Sequence, residues 1–284
     1  MKRLLTMELN KAYRNPWFVV SAAIACSLAV ASAVGNIYYY QDYGVFELYT
    51  HKYVSPVPGS CYKWWISLDF AQPTSSLLFQ LLPLLVVIPY AWSWRSELCH
   101  GYLNQVATRS TQANYLFAKG AINFSVGFVL GFFPLLLNFI LLACFIPAYM
   151  PDITELLYLG VYPGDQLSWL FYNCPVLYVL SFSLLAGIIC GLWASFVHSL
   201  SFLIENRVAL LIAPYLGTLA LQFLSDRIYL VLGSINGPQL GLAANMRAGV
   251  ENYSQPLWFI ALECALLFAL SLLLTRHQKR RDIL

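Results

Sequence analysis

Glu263 is the side chain with the strongest claim to chemistry, because it lies inside a long apolar run, WFIALECALLFAL. An ionisable group within a membrane-spanning helix is costly unless it is paired or hydrated, and such groups often line pathways for ions or substrates. The alternative is a protonated or hydrogen-bonded carboxyl that only supports helix assembly. We therefore treat Glu263 as a candidate pathway or gate residue.

Recognised catalytic motifs are missing from the sequence. It contains no phosphate-binding loop GxxxxGK[ST], no zinc motif HExxH and no nucleophile elbow GxSxG. Its four histidines fall in different segments, a spacing that supports neither metal ligation nor acid–base catalysis. We expect no metal site, no cofactor bound by this chain and no enzymatic activity.

The seven cysteines form no recognisable framework. Four fall within predicted helices, where a thiol acts as a small apolar group, and Cys99 is expected to be cytoplasmic and reduced. Only Cys61 and Cys174 lie on or near the predicted outer face. They are the one candidate disulfide pair.

The elements around these residues are predicted to be membrane helices. Hydrophobic residues make up 60% of the chain and charged residues 10%, too few charges to cover a soluble globule. The apolar runs are continuous rather than alternating, which favours helices over a membrane barrel. Six windows are long enough to span a bilayer: Trp17–Tyr39, Thr74–Trp94, Gly120–Ile146, Tyr172–Ala194, Val208–Val231 and Leu257–Thr275.

The distribution of basic residues predicts that both termini are cytoplasmic. In that orientation twelve of the 16 Lys and Arg lie in the inner segments. The basic tail RHQKRR is explained by anionic lipid headgroups and not by nucleic acid.

Two further segments carry a structural prediction. Residues 1–16 form an amphipathic helix with Leu5, Leu9, Ala12 and Tyr13 on one face, ended by Asn15 and Pro16. This helix is either a positively charged topology flank or an interfacial helix along the membrane. Residues 232–256 are too polar to span and are expected to hold a short extracellular or re-entrant element.

Local patterns predict how the helices pack. Gly127 with Gly131, and Gly187 with Gly191, permit close helix approach, either within one chain or between two. Proline at 83, 89, 134 and 214 predicts kinks. The pair Trp64 and Trp65 is expected at the membrane interface.

A polar stretch, WRSELCHGYLNQVATRSTQANYLFAK, follows the second apolar window. It resembles the cytoplasmic segment after the second helix of ABC-2-type transporter permeases. The matching positions are Arg95, Glu97, Gly101, Leu103, Arg109, Ser110 and Lys119. The N-terminal amphipathic helix, six spans and a polar insertion before the last span extend the resemblance over the whole chain, although Tyr102 stands where the family has Thr and the usual Pro after the Arg is missing.

The resemblance implies an all-helical permease subunit of 1–284, with a coupling helix in 95–119 that docks on an ATP-binding subunit. The complex would contain two such ATPases, which bind ATP and Mg²⁺ and drive transport. It would also contain a second permease, identical to this chain or different from it. It implies export of an amphipathic or hydrophobic substrate, such as a peptide, a lipid-like molecule or a drug, across a bacterial plasma membrane. A non-transporting scaffold or immunity protein, and less favoured an intramembrane enzyme, are the alternatives.

Overall fold

A computed structural model describes residues 2–44, 60–99, 111–153, 160–162, 165–232, 240–249 and 256–279. Helices account for most of these residues, and no strand occurs among them. The helices are α1 Lys2–Tyr13, α2 Pro16–Tyr39, α3 Pro73–Leu85, α4 Ser93–Cys99, α5 Gln112–Phe145, α6 Ser168–Asn173, α7 Pro175–Leu200, α8 Arg207–Leu232, α9 Leu242–Asn245 and α10 Leu257–Lys279.

Five of these helices, α2, α5, α7, α8 and α10, are long and apolar enough to cross a membrane. They correspond to five of the six predicted windows, so the all-helical, multi-pass architecture is confirmed. The described residues place α7 at the centre, packed against α5 and α10. Most of the apolar surface of α8 and α10 is exposed, as expected for helices surrounded by lipid tails.

The remaining window, Thr74–Trp94, is not one continuous helix. Helix α3 ends at Leu85, turns follow, and α4 begins at Ser93. Proline explains the break, because Pro83 and Pro89 lack the amide hydrogen that an intact helix requires. The window predicted as one spanning helix is therefore interrupted, and the predicted proline distortion is observed.

Side chains from other parts of the chain satisfy carbonyl groups that this break leaves free. Trp193 Nε1 donates to Pro83 O at 2.9 Å, and Asn15 Nδ2 donates to Pro89 O at 2.6 Å. His198 Nδ1 lies 3.1 Å from Ala91 O, as expected for a donor tautomer. Within a membrane, irregular backbone is tolerated only where the protein itself supplies such hydrogen-bond partners.

The closest helix contact joins α5 to α7 through glycine. A Cβ atom placed on Gly127 would lie 2.6 Å from the Cys190 carbonyl oxygen, and one on Gly191 would lie 2.8 Å from the Phe124 carbonyl oxygen. Of the two alternatives for these glycines, packing within the chain is therefore the one observed.

Gly127→Ala is expected to destabilise the fold by about 1–3 kcal/mol, because the added methyl group meets backbone atoms that cannot rotate away. Gly120→Ala on the same helix is the matched control, since nothing lies within 4 Å of its Cβ position. Its higher helix propensity should leave stability unchanged or raised by up to about 1 kcal/mol. Thermal unfolding of both variants in mild detergent measures the difference, and equal midpoints would contradict the packing.

Candidate functional site

Lys119 lies on α5 in one of the most unusual environments of the described structure. Its side chain is 0% exposed, yet its Nζ atom lies 2.8 Å from Glu97 Oε1 and 2.9 Å from Glu8 Oε2. Glu8 belongs to α1 and Glu97 to α4. One buried ammonium group therefore ties three separate helices together.

Other polar groups complete this arrangement, which we call the Lys119 network: Glu8, Lys11, Tyr90, Glu97, Tyr115 and Lys119. Tyr90 donates to Glu8, and Lys119 lies 3.1 Å from the Tyr90 hydroxyl. Tyr115 and Lys11 both donate to Glu97. Buried charges need such pairing, because an uncompensated charge is strongly disfavoured in a low dielectric.

The position of Glu8 in the sequence predicts its burial, although the expectation for α1 named only its apolar residues. Glu8 follows Leu5 by three residues and precedes Ala12 by four, so it shares the apolar face of the helix. The structure confirms the predicted helix and buries Glu8 and Ala12, whereas Leu9 is exposed. An acid in the middle of an apolar face indicates a buried cation opposite it.

The environment of Glu97 has a consequence for pH dependence. Burial alone would raise the pKa of Glu97, but Lys119 and hydrogen bonds from Lys11, Lys119 and Tyr115 outweigh it and lower the pKa below its ordinary value. The contribution of ionised Glu97 to the free energy of unfolding is therefore present in full above the ordinary glutamate pKa. It is lost as the pH falls through the lowered pKa of Glu97. We expect the unfolding midpoint to fall on acidification below pH 4.5, and Glu97→Gln to reduce that fall.

The structure separates the residues of the proposed coupling segment. Glu97 and Lys119 are buried partners of each other, while Arg95, whose side chain is 19% exposed, pairs with the exposed Glu205 at 2.5 Å. Gly101, Leu103 and Arg109 lie outside the described residues. Glu97 and Lys119 are therefore buried, and of the described members Arg95 is the most exposed.

A second polar cluster lies at the opposite end of the bundle, around Arg247. Its guanidinium donates to Asp69 O and Ser75 Oγ, each at 2.8 Å, and its centre lies 3.9 Å from the centre of the Phe70 ring. The neighbouring Ala248 N donates to Ser67 Oγ at 2.7 Å. Sequence reasoning did not single out Arg247, since a basic residue in an outer segment carries no motif.

The segment around Arg247, residues 240–249, reaches deep into the bundle, and we call it the plug. Met246 Sδ lies 3.3 Å from Cys190 Sγ. Cys190 is fifteen residues beyond the start of α7, about 22 Å along the helix axis. The plug contains the short helix α9, and whether residues 232–256 form an extracellular or a re-entrant element stays a prediction.

The stretch 60–72 also enters the bundle beside the plug. Trp65 is fully buried, and its Nε1 donates to Leu135 O at 3.1 Å. Asn138 Oδ1 accepts from Ile66 N, while its Nδ2 donates to Ala29 O. The prediction of Trp65 as an interfacial belt residue was therefore wrong, because its indole serves the packing of this segment.

Glu263 meets the plug from α10. It is partly buried and accepts a hydrogen bond from Asn245 Nδ2. Glu263 thus lies in a helix that is long enough to span a membrane, as expected. Its hydrogen-bond partner, Asn245, belongs to the plug and not to another spanning helix. This contact suits a gate as well as a packing role, so the candidate gate function stays a prediction.

The remaining candidate groups are not brought together. Cys61 is buried and Cys174 exposed, and both thiols are free in the structure. Burial raises the pKa of the Cys61 thiol to about 11, so it is unreactive at neutral pH. Among the described residues, no three His, Cys, Asp or Glu side chains cluster as metal ligands would. No family model, no curated protein and no solved structure matches the chain.

Proposed function

We propose that this chain is the transmembrane permease subunit of an ABC transporter of the ABC-2 type. It would export an amphipathic or hydrophobic substrate across a cell membrane, driven by ATP hydrolysis on two separate ATPase subunits and in company with a second permease. The observation that carries the proposal is the burial of Lys119 between Glu8 and Glu97.

The Lys119 network supplies what such a permease needs at its ATPase-facing end. Coupling requires that a movement of the docked segment also move the spanning helices. Here α4, which precedes the proposed docking residues, is held to α5 by a buried 2.8 Å ion pair and to α1 through Lys11. A displacement of α4 would therefore carry α1 and α5 with it.

The path of α3 and α4 would supply the sixth crossing that the proposal requires. Ser75, on α3, contacts Arg247 at one end of the bundle, and Glu97, on α4, contacts Lys119 at the other. We take the stretch 73–94 as the sixth crossing, interrupted by turns, with Glu97 just beyond its end. The Lys119 end would be cytoplasmic, which agrees with the distribution of basic residues.

Charge reversal in the proposed docking segment tests assembly. Arg109→Glu is expected to reduce co-purification of the ATPase at least about tenfold, because a like charge at a docking interface costs more than 1 kcal/mol. The tagged chain is purified in mild detergent, and bound proteins are identified by mass spectrometry. Arg227→Glu is the matched control, since Arg227 is an exposed arginine near the far end of α8.

The outcomes separate the candidate functions. Loss of an ATPase in Arg109→Glu and its retention in Arg227→Glu would support the permease. Recovery of the native chain without any ATPase, under conditions that preserve complexes, would contradict the permease and favour the scaffold or immunity alternative.

A further inference from the structure

An exposed basic and aromatic surface lies at the Lys119 end of the bundle, between α2 and α8. The guanidinium carbon of Arg207, the first residue of α8, lies 5.9 Å from the centre of the Trp17 ring on α2. Arg14 precedes Trp17 by three residues and is also exposed. Arg207 and Trp17 therefore lie close together although α2 and α8 are far apart in sequence, and Arg14 adds a second exposed arginine three residues before Trp17.

The neighbouring acid is engaged elsewhere. Glu205 is two residues from Arg207, but its carboxylate is 2.5 Å from Arg95. Among the ion pairs of the described residues, none involves Arg14 or Arg207. The surface thus has an excess of positive charge.

Apolar surface continues from these arginines towards the middle of the membrane. Helix α3 packs against both α2 and α8. We infer a groove between those two helices, with α3 as its floor. Val20 and Ile24 on α2, and Val208 and Ile212 on α8, are exposed. A basic, aromatic mouth above an apolar groove matches a molecule with an anionic head and hydrocarbon chains.

We propose that this groove binds one anionic phospholipid of the leaflet at the Lys119 end. Arg14 and Arg207 would contact the phosphate, the Trp17 ring would lie at headgroup level, and an acyl chain would lie along Val208 and Ile212. The occupant is identified by charge complementarity, because two guanidinium groups favour a net-negative headgroup over a zwitterionic one. The site is independent of the transport proposal.

Native mass spectrometry of the purified full chain, titrated with phosphatidylglycerol or phosphatidylcholine, tests this site. The wild type is expected to bind phosphatidylglycerol more tightly than phosphatidylcholine. Arg207→Gln should weaken phosphatidylglycerol binding roughly fivefold, and Arg14→Gln with Arg207→Gln roughly 25-fold, from the attraction of one basic residue to an anionic surface. Arg207→Lys, which keeps the charge, should bind nearly as the wild type does.

Arg227→Gln is the matched control, because Arg227 also lies over an aromatic ring, that of Phe223, near the other end of α8. It should leave phosphatidylglycerol binding unchanged. Equal binding of the two lipids, unchanged binding in the double variant or an equal loss in Arg227→Gln would each overturn the site. Thermal unfolding midpoints, together with the charge-preserving Arg207→Lys, distinguish loss of the lipid from loss of the fold.

Discussion

Replacing Lys119 with methionine is expected to destabilise the fold by about 3–5 kcal/mol, the loss measured when one partner of a buried ion pair is removed. Methionine has a similar length but no charge, so Glu8 and Glu97 would be left buried and facing each other without their shared cation. Equilibrium unfolding in mixed micelles, with the wild type in parallel, gives the difference.

Two companion variants show whether charge pairing causes that loss. Arg95→Gln removes a pair whose glutamate is 80% exposed, and it should cost less than about 1 kcal/mol. Glu8→Gln combined with Lys119→Met should destabilise by clearly less than the sum of the two single changes, because neighbouring sites are coupled by about 0.5–3 kcal/mol. Additive losses would show that Lys119 contributes only by filling space.

Arg247→Ala is expected to release the plug and to raise the labelling rate of Cys190 by a membrane-impermeant maleimide. The variant loses two hydrogen bonds from a charged donor and the contact with Phe70. Together these are worth about 2–4 kcal/mol, which corresponds to a roughly 30- to 1,000-fold increase in the open population. Cys190 is the reporter because Met246 covers its sulfur.

The labelling is measured on a chain in which the other six cysteines are replaced. Arg227→Ala, which removes an exposed arginine outside the plug, should label at the wild-type rate. Arg247→Lys keeps the charge but loses the planar guanidinium that lies over the Phe70 ring, so an intermediate rate is expected. Unchanged labelling in Arg247→Ala would contradict the role of Arg247 as the anchor of the plug.

Much of the helical architecture could be predicted from the sequence, because continuous apolar length sets α2, α5, α7, α8 and α10. The boundaries of α2 are nearly those expected, since Asn15 and Pro16 end α1 and begin the next helix. The turns after Leu85 were harder to predict, because their stability depends on hydrogen-bond donors that are distant in sequence, such as Trp193 and His198.

The candidate site was only partly predictable. Glu97 and Lys119 came from a resemblance, and sequence alone does not show that two residues 22 positions apart come within 2.8 Å of each other. Glu8 was detectable from its place on an apolar helix face, but Arg247 was not, because its partners Asp69 and Ser75 are more than 170 residues away in the chain. Long-range pairing of this kind has no local pattern.

The most direct test of the transport account is the labelling rate of Cys190 in vesicles that contain the assembled complex, with and without ATP and Mg²⁺. If ATP hydrolysis beside the Lys119 end rearranges the permease, ATP should raise the rate at Cys190 beneath the plug, and vanadate should abolish the response. A labelling rate that ATP leaves unchanged, in vesicles where the native chain has been captured with all its partners, would contradict the account.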